Sequence, residues 1–293
     1  MKVGVIGLGR MGSAMAARLI GAGHEVTVYD PVEAAVAALE AKGARGARSL
    51  AELCDGQAYV LSVLPTDAIF ESVVTGPGGL VENLPKGAVH MVSGTHGLPL
   101  TQRMAEAHRA AGQILLATNL LGRPERAQTG ELGFIIAGPS EVAKKVQPLL
   151  DAMGASFVNA GEDPAGAVAC KLANSFVLGC SIEATGEGIS LVRKYGVDPN
   201  VFYRVLTDGL FNCVAYKMYG KIIAEEDWEN VGATVTIGLK DTDLAFEAAR
   251  HVGVPLPAGE VYRDHLHGAI DHGEENLDWS VMAREQFRRS GLE

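Results

Sequence analysis

Positive charge is scarce in this sequence of 293 residues. Lysine and arginine number 25 against 35 aspartates and glutamates, which gives a net charge of −10 at pH 7. Proteins that bind nucleic acid usually carry a stripe of basic residues that pairs with the phosphate backbone. The sequence has no such stripe, and its overall charge would repel a polyanion. We therefore expect no nucleic-acid partner.

Paired cysteines and metal-binding patterns are also missing. The four cysteines, Cys54, Cys170, Cys180 and Cys213, form no CxxC pair. We expect them to be reduced, buried, small apolar side chains in a reducing compartment. The eight histidines show neither HxxxH nor HExxH spacing, and those of "RDHLHGAIDH" (263–272) are expected on the polar face of a helix. The sequence predicts neither a disulfide scaffold nor a metal site.

Long apolar runs are absent as well. No segment reaches the roughly 18 consecutive apolar residues that a membrane-spanning helix needs. No basic segment with an apolar core precedes "KVGVIGLG", which is typical of a strand running into a turn. We expect a soluble cytoplasmic protein with no membrane partner.

The first half of the sequence alternates strands with helices. Strands are predicted at 2–7, 25–30, near 45, at 58–64, at "AVHMVS", at "QILLAT" and at 133–138, and helices at 11–22, 32–42, from 49 and at 140–153. Strands that alternate with helices of about 10 to 15 residues are typical of parallel βαβ units. We predict a doubly wound, Rossmann-type α/β domain over residues 1–162.

The second half is predicted to be all helical. The stretch "NAGEDPAG" is the predicted linker, and residues 163–293 form the predicted all-α domain. Helices are expected at 165–195, 198–207, 212–225, 234–252, 257–270 and 278–289. The first of them is apolar on most sides through residue 180, which is typical of a helix buried within its domain or against a second subunit.

A glycine fingerprint lies between the first strand and the first helix. In "GLGRMG", Gly7 permits a tight turn, Gly9 lets a pyrophosphate approach the backbone, and Gly12 lets the helix pack on the sheet. The helix N-terminus then offers free N–H groups to the phosphates. The turn therefore predicts a dinucleotide site in which Leu8, Arg10 and Met11 also contact the cofactor. The alternative is a tight turn that holds no cofactor.

Asp30 ends the second strand, 18 residues after Gly12. An acid at this point accepts hydrogen bonds from the adenosine ribose hydroxyls and repels a 2′-phosphate, so it favours NAD over NADP. Arg10 is the one residue of the turn that could weaken this preference. The alternative role of Asp30 is a helix cap.

A lysine stands in the mostly apolar run "VACKLANSFVLGC" (168–180). In a helix, Lys171, Asn174 and Ser175 lie at positions i, i+3 and i+4 on one face. Apolar surroundings lower the pKa of an amine, and such an amine can exchange a proton with a substrate hydroxyl near neutral pH. The spacing alone is equally compatible with a lysine that reaches solvent or pairs with a carboxylate.

Four segments resemble the β-hydroxyacid dehydrogenase family, whose members include 3-hydroxyisobutyrate dehydrogenases, tartronate semialdehyde reductases and sulfolactaldehyde reductases. They are "GLGRMGSAMAARLIGAGHEVTVYDP", "SVLPT" (62–66), "KLANS" and "LKDTDLAFEAARHVGVPLP" (239–257). The resemblance implies that a Rossmann domain precedes a helical domain that helps to form a dimer or tetramer. It implies that Lys171 is the proton donor and acceptor, assisted by Asn174. It also implies that Leu64, Pro65 and Thr66 line the cofactor and that Lys240 closes over it.

Three departures from the family pattern concern the residues that contact the substrate and the nicotinamide ribose. Ser175 stands where the family has a second asparagine, which alters one substrate hydrogen bond. In the family, a Ser-Thr pair contacts the nicotinamide ribose, and this sequence has Ser93, Gly94 and Thr95 at that place. Ser93 and Thr95 are the expected contacts. His96 comes next and is expected either to line the pocket or to be a loop histidine whose hydrogen bonds are made within the protein. A serine and two glycines that bind the substrate carboxylate are replaced by Leu121, Gly122 and Arg123.

The sequence therefore predicts an NAD-dependent oxidoreductase, with NADP possible, that acts on a small anionic 3-hydroxy acid or its semialdehyde. Arg123 is expected either to bind the anionic group of the substrate or to pair with Glu125 or Glu131. The alternatives are an imine reductase of the same architecture, favoured by Leu121, and a non-catalytic scaffold that binds the cofactor. Lysine at position 171 argues against both.

Overall fold

The computed structural model describes residues 1–293. Two compact units make up the chain, residues 1–171 and residues 172–293. The division falls inside one long helix, so it differs from the boundary at 162/163 that the sequence suggested. That functional boundary stays a prediction.

An eight-stranded sheet forms the first unit, with strand order β3-β2-β1-β4-β5-β6-β7-β8. The strands are β1 (Lys2–Ile6), β2 (Glu25–Tyr29), β3 (Arg45–Gly46), β4 (Tyr59–Ser62), β5 (Val89–Val92), β6 (Ile114–Leu121), β7 (Leu132–Ala137) and β8 (Gly154–Asn159). All neighbouring strands are parallel except β6 and β7, which are antiparallel. The order reverses between β2–β1 and β4, as in a doubly wound sheet.

Eight helices accompany this sheet. They are α1 (Arg10–Gly21), α2 (Glu33–Glu40), α3 (Leu50–Cys54), α4 (Asp67–Thr75), α5 (Leu80–Asn83), α6 (Leu98–Ala110), α7 (Pro124–Thr129) and α8 (Ser140–Met153). Apolar side chains of the strands pack with those of the helices in two buried clusters; Met15 and Leu19 of α1 belong to one, and Phe70 of α4 to the other. This packing confirms the Rossmann-type fold.

Two features of the sheet differ from the prediction. The chain between β6 and β7 is too short for a parallel crossover, which takes a dozen or more residues, so β7 returns antiparallel through α7. Strand β8 was not predicted, because all of its residues except Gly154 are exposed and it lacks the buried apolar pattern of the other strands.

The second unit is helical, as predicted. After the long helix α9 (Pro164–Lys194) come α10 (Pro199–Thr207), α11 (Val214–Glu225), α12 (Val235–His251), α13 (Pro257–Asp271), a short 3₁₀ turn (Trp279–Val281) and α14 (Met282–Arg289). Its core contains Tyr262, Trp279 and Phe287. Helix α13 approaches α9 closely, because a Cβ on Gly179 would lie 2.7 Å from the Tyr262 ring.

Helix α9 is less buried than its composition suggests. Cys170, Ala173 and Val177 are exposed, and Val177 keeps 63% of its surface. The prediction of burial on every side therefore does not hold within a single chain. The helix is long and apolar enough to cross a membrane by length and composition, but 39% of its most apolar stretch is buried. A core helix of a soluble protein meets the same criterion.

The cysteines are all free, as predicted. Their expected burial holds for Cys54, whereas Cys180 is half-buried and Cys170 and Cys213 are exposed. That part of the prediction was wrong because Cys170 lies on the exposed side of α9 and Cys213 immediately before α11. No group of three or more histidine, cysteine, aspartate or glutamate side chains is arranged to hold a metal ion.

Candidate active site

The glycine turn after β1 has the geometry of a dinucleotide site. Gly7 has φ +86°, and a side chain there would collide with the Val63 carbonyl oxygen. A Cβ on Gly12 would collide with the Gly7 carbonyl oxygen, so α1 packs against the turn through glycine alone. A Cβ on Gly9, in contrast, would meet nothing within 4 Å. Two glycines are thus required by the protein itself, and the third leaves open space for a ligand.

Helix α1 begins at Arg10, directly behind that open space. Gly9 is its N-cap and offers no capping side chain, so N–H groups of the first turn remain available for a ligand. Together with the positive end of the helix dipole they suit a pyrophosphate. The residues present therefore fit a dinucleotide cofactor.

Asp30 lies at the edge of this turn. Its Oδ2 accepts a hydrogen bond from the Leu8 backbone N–H at 2.7 Å, and its Oδ1 accepts one from the Val32 N–H at 2.9 Å. Val32, not Asp30, is the N-cap residue of α2. Asp30 therefore fixes the chain just before this helix through its bond to the Val32 N–H. The carboxylate is thereby fixed beside the glycine turn, where a cofactor ribose would lie.

Two further loops follow strands β4 and β5 at the same edge of the sheet. In the first, Leu64 is buried, Pro65 and Thr66 are exposed, and Thr66 caps α4 by accepting from the Ile69 N–H at 3.3 Å. Parallel neighbours end at one edge, and ligands of doubly wound sheets bind there. The sheet therefore brings the glycine turn and Leu64–Thr66 to one side of the unit.

The loop after β5 begins with Ser93, Gly94 and Thr95 and is fixed from two directions. The Ser93 hydroxyl shares a hydrogen bond of 2.9 Å with the Thr118 hydroxyl of β6, and Asn119 of β6 donates to the Gly94 carbonyl oxygen at 2.9 Å. A side chain on Gly94 would collide with the His96 ring. The glycine is thus explained by the histidine that follows it.

The predicted substrate loop joins β6 to α7. Leu121 is half-buried, Gly122 has φ +136°, and the Arg123 side chain is only 12% exposed. Arg123 Nε lies 3.7 Å from Glu125 Oε2, and Glu125 Oε1 lies 3.8 Å from Nη2 of Arg10. One exposed carboxylate therefore stands between the arginine of the substrate loop and the arginine of the cofactor turn.

The remaining predicted residues lie on helices α9 and α12. Lys171 is half-buried at the end of the first unit. In the second unit, Asn174 is exposed and Ser175 is buried, while Lys240 Nζ lies 3.0 Å from Asp241 Oδ1. The helical register of Lys171, Asn174 and Ser175 is as expected. Their meeting with the cofactor residues stays a prediction.

Comparison with known proteins identifies the family. Residues 2–161 match the NAD-binding domain of 6-phosphogluconate dehydrogenase, and residues 165–285 match the NAD-binding domain of NADP-dependent 3-hydroxyisobutyrate dehydrogenase. A 3-hydroxyisobutyrate dehydrogenase of Pseudomonas aeruginosa is 33% identical over 96% of this chain and 97% of its own length. The chain belongs to the β-hydroxyacid dehydrogenase family. It is an NAD(P)-dependent oxidoreductase that acts on a CH–OH group.

Two other relatives agree with this assignment. An uncharacterized oxidoreductase of Bacillus subtilis is 34% identical over 97% of this chain and 99% of its own length. The structure of a Mycobacterium tuberculosis 3-hydroxyisobutyrate dehydrogenase with L-serine has a TM-score of 0.88 at 25% identity and covers 97% of this chain and 98% of the other. The resemblance noted in the sequence is therefore confirmed over nearly the whole chain.

Sequence reasoning did not single out three side chains that hold the loops of this dehydrogenase: Asp67, Thr118 and Asn119. Asp67 accepts from His96 and from the Gly97 N–H. Thr118 and Asn119 are wholly buried in β6. Two consecutive polar residues inside the apolar run "ILLATNLL" were the signal that could have revealed them, since buried polar groups need partners.

A buried chain of hydrogen-bonded polar side chains links strands β4 and β5 of the dehydrogenase to helix α6. His90 bonds through Nε2 to the Ser62 hydroxyl at 2.8 Å and through Nδ1 to His108 Nε2 at 3.0 Å. His108 Nδ1 bonds to Gln113 Oε1 at 2.8 Å, and the Gln113 amide donates to two backbone carbonyls. Gln113 Oε1 must therefore accept from His108 Nδ1, and two neutral imidazoles that each donate through Nδ1 satisfy every bond in the chain.

We expect this chain of histidines to make folding stability fall in mild acid. Burial lowers the pKa of both His90 and His108, and the neighbouring His108 lowers the pKa of His90 further. The folded state therefore binds fewer protons than the unfolded state. The full stability is present above the unfolded pKa of about 6.5. Below that pH, stability falls by up to about 1.4 kcal/mol per pH unit for each histidine.

Urea unfolding between pH 5 and 7.5, followed by circular dichroism, measures this slope. The variant His90→Gln/His108→Gln should show a flatter pH dependence, whereas His251→Gln, which changes an exposed histidine, should behave like wild type. Equal slopes in all three proteins would contradict the account.

Proposed function

We propose that the enzyme interconverts a small anionic 3-hydroxy acid and its semialdehyde with NAD as the preferred cofactor. The observation that carries the cofactor assignment is the open glycine turn with Asp30 fixed at its edge. The substrate class is supported by the relatives named 3-hydroxyisobutyrate dehydrogenase. Lys171 in the middle of the apolar stretch of α9 supports alcohol oxidation over imine reduction.

The proposed chemistry assigns one role to each residue. The glycine turn and Asp30 would hold the NAD, which would supply the hydride acceptor for the carbinol carbon. The neutral amine of Lys171 takes the hydroxyl proton as the C–O bond gains double-bond character, and in the reverse direction the ammonium returns it. Asn174 orients the lysine or the substrate, and Ser175 completes this face. Backbone N–H groups around Gly122 and the Arg123 guanidinium bind the acid group, and Lys240 closes over the cofactor.

The cofactor preference follows from charge. A 2′-phosphate beside Asp30 would face a carboxylate that two backbone N–H groups already hold in place. Arg10 is the one positively charged residue of the glycine turn, but Glu125 lies 3.8 Å from it. We expect NAD to be favoured over NADP by at least about tenfold in kcat/KM, corresponding to roughly 1.4 kcal/mol.

A coupled assay with NAD(H) and NADP(H) tests both parts of this proposal. The panel contains small 3-hydroxy acids, their semialdehydes, sulfonate analogues and cyclic imines. Turnover of a hydroxy acid or semialdehyde with NAD(H), and a gain in NADP use by Asp30→Asn, is the expected result. Turnover of cyclic imines alone would favour an imine reductase. Cofactor binding without any turnover would favour a scaffold, and equal use of NADP would show that Arg10 outweighs the carboxylate.

We further propose a cytoplasmic homodimer or homotetramer whose partners are a small anionic substrate and its own subunits. Helix α9 has exposed apolar residues, among them Val177 and Leu191, which support an interface between subunits along this helix. The functional division into a cofactor domain and a substrate domain is proposed at 162/163, the boundary suggested by "NAGEDPAG". Light scattering coupled to gel filtration measures the oligomeric state.

A further inference from the structure

We propose that His96 and Asp67 form a clamp that locks together the two loops beneath the nicotinamide half of the cofactor. The pair is called the His96–Asp67 clamp below. It rests on the proposed function, because it assumes that NAD(H) lies along the carboxyl ends of the strands. The clamp makes His96 a positioning residue rather than a catalytic one.

The first observation is that Asp67 bonds twice to the opposite loop. Its Oδ1 lies 3.1 Å from His96 Nδ1, and both of its carboxylate oxygens accept from the Gly97 N–H, at 3.1 and 3.2 Å. Asp67 is the first residue of α4 and follows Thr66 directly. One carboxylate therefore joins the loop after β4 to the loop after β5.

The second observation is that α4 holds the His96 ring from a second side. Phe70, one turn along the same helix, stacks on the ring with centroids 4.2 Å apart and planes 13° from parallel. The histidine side chain is only 1% exposed, whereas that of Asp67 is 40% exposed. A buried ring with a charge partner and an aromatic face has little freedom to move, so the loop that carries it is held to α4.

The third observation is that Gly94 is adapted to the clamp. A Cβ on Gly94 would collide with His96 Nε2 and would lie 2.7 Å from the Leu64 carbonyl oxygen. The His96 ring and the loop after β4 therefore occupy the space in which residue 94 would carry a side chain. This explains why the chain has glycine between Ser93 and Thr95.

The position of the clamp decides what it acts on. In the strand order β2-β1-β4-β5-β6, Asp30 and the glycine turn lie on the β2 and β1 side, where the adenosine and pyrophosphate would bind. The clamp lies beyond them, at the ends of β4 and β5. It should therefore set the affinity for the nicotinamide half without changing the affinity for the adenosine diphosphate half.

Binding of NADH and of ADP to His96→Phe separates these halves. Phenylalanine keeps a ring against Phe70 but loses the bond to Asp67. We expect NADH to bind about tenfold more weakly, a change of about 1.4 kcal/mol, while ADP binds within about twofold of wild type. NADH fluorescence and calorimetry measure the two affinities without any substrate.

A double-mutant cycle tests whether the two residues act as a unit. If they do, Asp67→Ala, which also removes the bonds to the Gly97 N–H, should weaken NADH binding at least as much as His96→Phe. The double variant should be no weaker than Asp67→Ala alone. The control His24→Ala changes a half-buried histidine of the same unit that precedes β2, at the amino ends of the strands, and should leave NADH affinity unchanged.

The outcomes distinguish the clamp from the proposed function. Wild-type protein that binds neither NADH nor ADP would overturn the function, and the clamp with it. Wild-type protein that binds both, together with a His96→Phe variant that binds NADH normally, would overturn the clamp alone. Equal weakening of NADH and ADP by His96→Phe, or weakening by His24→Ala, would show a general structural effect and contradict the assignment.

Discussion

Replacing Lys171 with methionine is expected to lower kcat by about 10² to 10⁴, the usual contribution of a positioned acid–base group. Methionine keeps the length and apolar stem of the side chain but cannot accept the hydroxyl proton. The affinity for NADH should stay near that of wild type, because the glycine turn and Asp30 are unchanged. Steady-state kinetics and NADH binding measure the two quantities.

The matched control for this variant is Lys194→Met, which changes an exposed lysine at the end of the same helix. It should retain the wild-type kcat. A Lys171→Met enzyme that keeps most of its kcat would show that the lysine is structural. A variant that unfolds would also show a structural role, so thermal unfolding accompanies the kinetics.

Replacing Arg123 with alanine is expected to raise KM for an anionic substrate by about 30- to 800-fold, equivalent to roughly 2 to 4 kcal/mol of lost binding. A guanidinium meets a carboxylate or sulfonate with two parallel hydrogen bonds. The 12% exposure of its side chain suits such a buried pair. Arg123→Lys should restore binding only in part, because the planar fork is lost, and NADH affinity should not change.

The competing role of Arg123 is the ion pair with Glu125, whose side chain is 63% exposed. Exposed pairs contribute at most about 1 kcal/mol, so Glu125→Gln should leave substrate KM within a few-fold of wild type. Arg126→Ala removes an exposed arginine of α7 and so controls for the loss of one positive charge near the substrate loop. A KM of Arg123→Ala within about twofold of wild type would leave acid recognition to the backbone near Gly122.

Local patterns in the sequence predicted the parts of this enzyme that depend on neighbouring residues. The turn after β1 requires glycine at positions 7 and 12, where a side chain would collide with the backbone, and a side chain on Gly9 would meet only open space. The helices of the second unit follow from apolar periodicity. The antiparallel return of β7 was not predicted, although the short connection after β6 already excludes a parallel crossover.

Contacts between distant segments could not be predicted in this way. His96 lies 29 residues from Asp67, and Ser93 lies 25 residues from Thr118. No spacing rule connects such positions; they meet because β4, β5 and β6 end side by side. Glycine is needed at position 94 because the His96 ring occupies the space that a side chain would fill, a contact that no local pattern predicts.

Hydride transfer between nicotinamide C4 and the carbinol carbon of a small hydroxy acid is the reaction on which the roles of all these residues depend. Deuterium can be followed from NADH that carries deuterium at both C4 positions into the product formed from the semialdehyde of a 3-hydroxy acid. We predict one deuterium on the carbinol carbon for each NADH oxidised by wild-type enzyme, and a rate about 10² to 10⁴ lower with Lys171→Met. Oxidation of NADH without deuterium at that carbon, or no reaction with any semialdehyde, would contradict the account.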